Sequence, residues 1–165
     1  MSTSDVRVGI AGAAGRMGRM LVAGAHETDG LVCSAALEHP QHEALGVDAG
    51  TLAGLGAIDV PVGANLEAVL SDIDVLIEFS LPEPTLEHLE LCAVNGVSAI
   101  LGTTGFSPEQ RARIGEAARS VPVMFAPNMS VGVNVMFKLI ELAAQALGDS
   151  VDVEVIEAHH RYKVD

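Results

Sequence analysis

The sequence predicts an α/β protein built on a doubly wound, mostly parallel sheet of the Rossmann type. Short, almost continuously apolar segments alternate with stretches long enough for helices. That alternation is typical of parallel strands covered by helices on both faces. The first apolar segment is followed by a turn with three glycines spaced three residues apart and then by a helical pattern. We therefore expect strands joined by right-handed helical crossovers.

Five apolar segments are predicted to be strands. A sixth, short strand is expected in the less regular region from Pro40 to Asn65, which carries five glycines and two prolines and is otherwise assigned to loops. The predicted strands are Val6–Ala11, Leu31–Leu37, Val75–Ser80, Val97–Leu101 and Val121–Ala126, with the short strand near Val60–Val62.

Four helices are predicted between and after these strands. Ser107 followed by Pro108 marks a helix start, because serine caps helices and proline is favoured at the first helical position. Gly148 follows the last helical pattern and marks its end. The predicted helices are Arg16–Glu27, Glu83–Asn95, Pro108–Arg119 and Val131–Leu147.

The pattern changes near the end of the chain. Val151, Val153 and Val155 alternate with acidic residues, which predicts a strand with one solvent-exposed face. We therefore expect a second, more open sheet to begin near residue 151, after a helix that closes the first domain or bridges to the next.

Composition restricts the classes of partner. The chain has 9 basic and 22 acidic side chains, a formal charge of −13, which disfavours binding to nucleic acid or to an anionic membrane. Cys33 and Cys92 lie in apolar segments without metal-ligand spacing, so they are expected to be reduced core residues of a cytoplasmic protein. With no signal-like start and no uninterrupted apolar run of about 18 residues, neither export nor membrane anchoring is expected.

The glycine-rich turn contains Gly12, Gly15 and Gly18 in a G-x-x-G-x-x-G pattern. Ala14 makes it a variant of the G-x-G-x-x-G turn that binds a dinucleotide pyrophosphate at a helix amino end. Glycines in a strand-to-helix turn also serve purely steric needs, and that alternative stays open here.

An acidic residue follows at the distance expected for ribose binding. Glu38 ends the second strand, 20 residues after Gly18, where a carboxylate accepts hydrogen bonds from adenosine ribose. The alternative is a solvated charge at a strand end. Arg16, the first helical residue, is a candidate phosphate partner or, alternatively, a surface arginine.

Two further loops follow predicted strands at their carboxyl ends, where ligands bind in open α/β sheets. They are Gly102–Gly105 and Pro127–Ser130. Small and hydroxylated residues let a nicotinamide ring approach the backbone, but turns select the same residues for conformational reasons.

A basic cluster, E-A-H-H-R-Y-K-V-D, ends this acidic chain. It offers proton donors on either side of neutrality, and the alternative is a solvated basic tail. In a straight strand His159, Arg161 and Lys163 would share one face and His160 the other, so joint use of both histidines requires a bend. The other histidines, His26, His39, His42 and His88, are scattered, and no metal site is predicted.

Four motifs in this order resemble the 4-hydroxy-tetrahydrodipicolinate reductase family, formerly called dihydrodipicolinate reductase. They are V-G-I-A-G-A-A-G-R-M-G, L-G-T-T-G-F, A-P-N-M-S-V-G-V-N and E-A-H-H-R-Y-K-V-D. The resemblance spans essentially the whole chain. It implies a dinucleotide-binding domain over residues 1–129. It implies for residues 130–165 a linking helix and the first strand of an incomplete α+β domain for substrate binding and oligomerisation. It implies a cytoplasmic, usually tetrameric enzyme of the diaminopimelate route to lysine, which uses NADH or NADPH to reduce a small cyclic dicarboxylate with loss of water.

The resemblance also implies roles for individual residues. It places the acid-base residue at His159, the proton donor at Lys163 and a substrate-carboxylate contact at His160. Hydride would pass from the cofactor to ring carbon C4 of the substrate, while the basic cluster offsets the two substrate charges. The implied cofactor contacts are Gly12, Ala13, Ala14, Gly15, Arg16 and Met17 for the pyrophosphate, Glu38 for the ribose, and Gly102, Thr103, Thr104, Ala126, Pro127, Asn128 and Met129 for the nicotinamide.

Two departures from the family pattern modify these expectations. Some members carry arginine after the ribose-binding acid, where this chain has His39, so NADH or dual use is expected. The family motif continues beyond the position of Asp165, so we expect a truncated chain. The alternatives are a non-catalytic dinucleotide-binding module and another amino-acid-pathway dehydrogenase on the same fold.

Overall fold

The structure, a computed structural model, describes residues 5–156 and residue 158. The chain divides into two compact units, with the boundary between Phe125 and Ala126. Each unit is described by itself.

The first unit is built on a parallel sheet of six strands in the order β3-β2-β1-β4-β5-β6. The chain builds outward from β1 in one direction and then, from β4, in the other, which is the doubly wound topology that the sequence predicts. The strands are β1 Val6–Ala11, β2 Leu31–Leu37, β3 Val62–Gly63, β4 Val75–Glu78, β5 Ser98–Leu101 and β6 Val123–Phe125.

Helices alternate with these strands, and most begin or end at a residue that stabilises the terminus. Ser107 and Gln110 form a reciprocal capping box at the start of α4, and Gly96 ends α3 in the left-handed conformation. The four predicted helices are confirmed, with shifts of one or two residues at some ends. The helices are α1 Arg16–Glu27, α2 Ala49–Ala53, α3 Pro82–Asn95, α4 Pro108–Ala117 and α5 Val131–Leu147.

The core lies on both faces of the sheet. Ile10 of β1 is fully buried in a cluster with Val22 of α1, whereas the next residue, Ala11, belongs to a cluster that contains Cys92 of α3. Neighbouring residues of one strand therefore face opposite helical layers, which explains why the strand sequences are apolar without alternation. Burying a side chain such as Ile10 contributes about 1.5–3 kcal/mol.

Both cysteines are buried and unpaired, as predicted. Burial in apolar surroundings disfavours the thiolate and raises the pKa of Cys33 to about 11 and that of Cys92 to about 12. Both side chains therefore act as small apolar core residues.

The irregular region contains a helix that the sequence analysis missed. In α2, the Asp48 carboxylate accepts a hydrogen bond from Thr51 N (2.9 Å), and it also accepts from Ile58 N and Val60 N (both 3.1 Å). One side chain thus caps the helix and ties it to the segment before β3. A helix of five residues is too short to show apolar periodicity, so its stability depends on this long-range cap.

The second unit contains α5, which has one polar side. Ser130 caps its start by accepting from Val133 N. The polar residues Asn134, Lys138, Glu141 and Gln145 recur at intervals of four, three and four residues and therefore share one face. Lys138 and Gln145 both bond to Glu141. The rest of the helix surface is apolar, and no residue of α5 is buried among the described residues.

Residues Val131–Ser150 are long and apolar enough, with mean hydropathy 1.3, to cross a membrane by length and composition alone. Polar residues at every third or fourth position interrupt this segment, so it contains no continuous apolar run of about 18 residues. Core helices of water-soluble proteins share this length and composition.

The strand predicted around Val151, Val153 and Val155 is not formed. Residues 151–156 have no strand hydrogen bonds, and the prediction is wrong for this segment. A strand is stabilised by pairing with a neighbour, and the described residues of the second unit supply no strand with which it could pair.

We expect Asp48→Ala to lower the urea midpoint of unfolding, because three backbone N–H groups lose their acceptor. The hydrogen bond from Thr51 N, with those from Ile58 and Val60, holds the pKa of Asp48 below its usual value. Such a carboxylate stabilises the fold above its unfolded pKa, about 3.9, and this stabilisation is lost as the pH falls through the folded-state pKa.

The difference in urea midpoint between wild type and Asp48→Ala should therefore narrow between about pH 5 and pH 3. Asp29→Ala, at an exposed aspartate in the turn before β2, is the control and should leave the midpoint nearly unchanged. A difference that stays constant across this pH range would contradict the role of the Asp48 charge.

Candidate functional site

A cleft of about 610 Å³ opens at the carboxyl ends of the strands in the first unit. Its walls come from the loops after β1, β2, β3 and β4 and from one face of α3. The cleft lies between β1 and β4, where the strand order reverses, which is the usual ligand position in open α/β sheets. Its size is within the range of small-molecule sites.

The glycine turn packs against its surroundings with no space for side chains at two positions. Gly12 has a φ of +75°, and a Cβ there would lie 2.3 Å from the carbonyl oxygen of Phe79 in the β4 loop. A Cβ at Gly18 would lie 2.1 Å from the oxygen of Gly12. Close packing therefore accounts for the glycines at positions 12 and 18. Gly12 and Gly15 also line the cleft.

The predicted pyrophosphate residues divide into three groups. Gly12, Ala14 and Gly15 line the cleft. Ala13 is buried in the core beside β1. Arg16 and Met17 are exposed in the first turn of α1 and are not among the residues that line the cleft.

The amino end of α1 borders the cleft without a side-chain cap. Gly15 is the N-cap residue, so no side chain there bonds the first N–H groups of the helix. Those groups and the positive end of the helix dipole can bind an anion. Arg19, which the sequence analysis did not single out, steadies the turn by donating from Nε to Ala14 O (2.9 Å).

Glu38 links the end of β2 to the glycine turn. Its Oε2 accepts from Ala14 N and its Oε1 accepts from His39 N, both at 3.1 Å. Glu38 also lines the cleft. A carboxylate has about four acceptor positions, so these two bonds leave capacity for ribose hydroxyl groups.

The β5 loop packs against the β4 loop. The ring of Phe79 packs so closely on Gly102 that a Cβ there would lie 2.0 Å from the ring. Thr103 is buried and accepts from Ser80 N (3.2 Å). Neither these residues nor Thr104 are among the cleft-lining residues, so their nicotinamide contacts stay predictions.

The remaining predicted residues lie in the second unit. Ala126, Pro127, Asn128 and Met129 precede α5, and Asn128 Oδ1 accepts from Ser130 N (2.8 Å) to order this loop. The catalytic and substrate predictions, His159, Lys163 and His160, lie outside the described residues.

The sequence analysis missed most of the wall opposite the glycine turn. That wall consists of the β4 loop, Phe79–Leu81, together with Pro84, Glu87 and His88 of α3. The β4 loop could have been predicted as part of the site, because it follows the carboxyl end of a central strand. The α3 residues are brought to the cleft by the packing of the helix, which has no local signature.

Three histidines that are scattered in the sequence meet at this cleft: His39, His42 and His88. The Nδ1 atoms of His39 and His42 accept from the backbone N–H groups of Gln41 (3.2 Å) and Ala44 (3.1 Å). Each of these rings thus has one nitrogen engaged by the loop backbone and one left for another partner. Within residues 5–156 and 158, no group of His, Cys, Asp and Glu side chains is arranged to hold a metal ion.

Comparison with known proteins identifies the family. Residues 6–129 match the family model for the N-terminus of dihydrodipicolinate reductase, and residues 132–165 match the model for its C-terminus. The chain belongs to the dihydrodipicolinate reductase family. The resemblance inferred from the motifs is thereby confirmed.

Curated relatives agree with this assignment. A 4-hydroxy-tetrahydrodipicolinate reductase of Acinetobacter baumannii is 53% identical over 96% of this chain and 58% of the relative. One of Syntrophotalea carbinolica is 51% identical over 97% of this chain and 60% of the relative. The chain therefore spans about three-fifths of the length of these reductases.

Solved structures agree with the fold. A dipicolinate-bound dihydrodipicolinate reductase from Paenisporosarcina sp. TG-14 superposes with a TM-score of 0.67 at 31% identity, over 85% of this chain and 54% of that one. The WlbA dehydrogenase from Thermus thermophilus, solved with NAD and α-ketoglutarate, has a TM-score of 0.58 at 17% identity, over 83% and 47% of the two chains. The second similarity concerns the fold alone.

We expect Gly12→Ala to destabilise the protein by about 1–3 kcal/mol. The new Cβ would collide with the β4 loop, and alanine would have to adopt the left-handed conformation of Gly12. Gly24→Ala in α1 is the matched control. It has open space around it and should be neutral or stabilising by up to about 1 kcal/mol. Urea unfolding of both variants measures the difference, and equal stabilities would show that the Gly12–Phe79 contact is not a constraint.

Proposed function

We propose that this chain is the cofactor-binding part of an NAD(P)H-dependent 4-hydroxy-tetrahydrodipicolinate reductase. Such an enzyme forms tetrahydrodipicolinate in the diaminopimelate and lysine pathway. The observation that carries the proposal is the cleft at the strand reversal, bounded by the glycine turn and Glu38. It occurs in a chain whose two segments match both domain models of that family.

The residues present in the cleft suit a nicotinamide dinucleotide. Gly12, Ala14 and Gly15 leave the backbone accessible to a pyrophosphate, and the uncapped end of α1 supplies donors to it. Glu38 supplies acceptors for the adenosine ribose. When bound, the nicotinamide supplies hydride to the substrate. The protein residues fix its position and exclude water around it.

The remaining assignments complete the proposal. Residues 1–129 would form the cofactor domain and residues 130–165 the beginning of the substrate domain, with Gly102–Thr104 and Ala126–Met129 on the nicotinamide side. His159 and Lys163 would supply the proton, and His160 would bind a substrate carboxylate. The dipicolinate bound in the Paenisporosarcina relative supports a small dicarboxylate substrate.

The family resemblance supports a cytoplasmic homotetramer for the full-length reductase. The formal charge of −13 supports the absence of nucleic-acid and membrane partners.

We propose that NADH is used at least as well as NADPH. Among the described residues, those that line the cleft include Glu38 and Glu87 but no lysine or arginine. His39, the residue after the ribose-binding acid, has its Nδ1 engaged by Gln41 N, so only its other ring nitrogen is left for a 2′-phosphate, and it lacks the permanent charge of an arginine.

A second candidate function is dinucleotide binding without turnover by this chain. It is favoured by the position of the cleft, whose lining residues, in the part of the chain that the structure describes, lie between Ala11 and His88. The basic cluster discriminates between the two functions, because a pure binding module has no need of adjacent proton donors.

Turnover and binding are separated by comparing this chain with a version extended past Asp165 by the C-terminal segment of the Acinetobacter relative. Both should bind NADH, and only the extended protein should oxidise it in the presence of fresh 4-hydroxy-tetrahydrodipicolinate. The assignment as a reductase is wrong if the extended protein shows no substrate-dependent oxidation. Equal rates for both proteins would show that residues 1–165 suffice.

We expect His39→Arg to raise the affinity for NADPH about tenfold relative to NADH, because a permanently charged guanidinium replaces an imidazole beside the ribose-binding acid. His26→Arg is the control, since it adds the same charge on the exposed last turn of α1. The two dissociation constants are measured by titration of NADH and NADPH fluorescence. A similar shift in His26→Arg would assign the effect to net charge.

A further inference from the structure

A fully buried carboxylate lies beneath the wall of the cleft. Glu78 is the last residue of β4, and none of its side chain is exposed. It is not among the cleft-lining residues. A buried carboxylate is costly unless its oxygens are hydrogen-bonded, so its partners indicate what it holds in place.

The two oxygens of Glu78 bond to different elements. Oε1 accepts from Ser80 Oγ in the β4 loop. Oε2 lies 2.8 Å from Nδ1 of His88 on α3, which is a hydrogen-bond distance. The His88 side chain is partly exposed and lines the cleft, so the pair extends from the core to the cleft surface.

Two threonines extend these contacts to the β5 loop. Ser80 N donates to Thr103 Oγ1 (3.2 Å), and Thr85 Oγ1 lies 2.9 Å from the same atom. Thr85 Oγ1, on α3, also lies 2.8 Å from Leu81 O. We call Glu78, Ser80, Thr85, His88 and Thr103 the Glu78 network. Among the described residues, no buried side-chain polar atom lacks a hydrogen-bond partner.

The β4 loop held by this network touches two of the predicted cofactor loops. The backbone oxygen of Phe79 lies where a Cβ of Gly12 would be, and the Phe79 ring lies where a Cβ of Gly102 would be. Close-packed contacts of this kind transmit displacement because they have no free volume to absorb it. A shift of Phe79 or Ser80 would therefore move the wall that faces the glycine turn.

We infer that Glu78 and His88 are positioning residues for the dinucleotide. Through Ser80 and Thr103 they fix the β4 and β5 loops against the glycine turn before the cofactor binds. The inference rests on the proposed function.

The test compares loss and rescue variants at both positions. Glu78→Leu keeps the side-chain size and removes both acceptors, whereas Glu78→Gln retains an oxygen for Ser80 and an amide for His88. His88→Ala removes the donor, whereas His88→Asn keeps an N–H group near the Nδ1 position. His26→Ala is the control, because it deletes the same side chain at an exposed site away from the cleft.

We expect Glu78→Leu and His88→Ala each to raise the NADH dissociation constant about fivefold or more. The Gln and Asn variants should recover most of the affinity, and His26→Ala should match wild type. Because the two residues act as one unit, the double variant Glu78→Leu/His88→Ala should have an NADH dissociation constant no higher than that of the single variant that binds NADH less tightly. Circular dichroism and urea midpoints establish that each variant is folded.

The possible failures are distinguishable. If wild type does not bind NADH, both the proposed function and this inference are overturned. If wild type binds NADH and folded Glu78→Leu binds it equally well, the inference alone is wrong. It is also wrong if Glu78→Gln and His88→Asn bind as weakly as the variants they should rescue. Should Glu78→Leu not fold, His88→Ala and His88→Asn, at the partly exposed end of the network, decide the question.

Discussion

The close approach of two backbone segments, the glycine turn after β1 and the loop after β4, determines the geometry of the whole site. At Gly12 the carbonyl of Phe79 occupies the space of a Cβ, so the two segments are in contact across the point where the strand order reverses. The contact brings the amino end of α1 and the β4 loop to one cleft. Gly18 sets the second distance, that between the start of α1 and the turn itself. With either distance larger, the turn would no longer be held beside the Glu38 carboxylate.

Electrostatics add a second constraint, because the proposed dinucleotide is an anion and the protein has a formal charge of −13. Among the described residues, Glu38 and Glu87 line the cleft, and no lysine or arginine does. The attraction that these residues offer comes from oriented backbone groups, namely the uncapped N–H groups of α1 and a helix dipole equivalent to roughly half a positive charge. Surface charges farther away than about 8–10 Å are largely screened at physiological salt, so the local dipole outweighs most of the net charge. This accounts for the importance of backbone placement in the cleft.

The sequence predicted the features that have a local signature. Strands buried on both faces are continuously apolar, and helices such as α4 carry their own caps, so those elements were found with small errors at the ends. Helix α2 was missed because its cap, Asp48, bonds to residues ten and twelve positions away. The strand near Val151 was wrongly predicted. Alternating apolar and acidic residues indicate which face of a strand would be buried, but a strand forms only beside a partner with which it can pair. In the site, Gly12, Gly15 and Glu38 form a local motif, whereas His42 and His88 meet only through the packing of α3 on the sheet.

The functional groups proposed for this chain are distributed unevenly along its sequence. Every described residue that lines the cleft lies between Ala11 and His88, and the network beneath the cleft ends at Thr103. The proton donors implied by the family resemblance lie more than fifty residues later, in the segment that matches the C-terminal family model. In the proposed function, the walls of the cleft are fixed by their own core contacts and position the dinucleotide independently of the proton donors. The later segment would then contribute substrate orientation and a proton, which depend on short-range geometry.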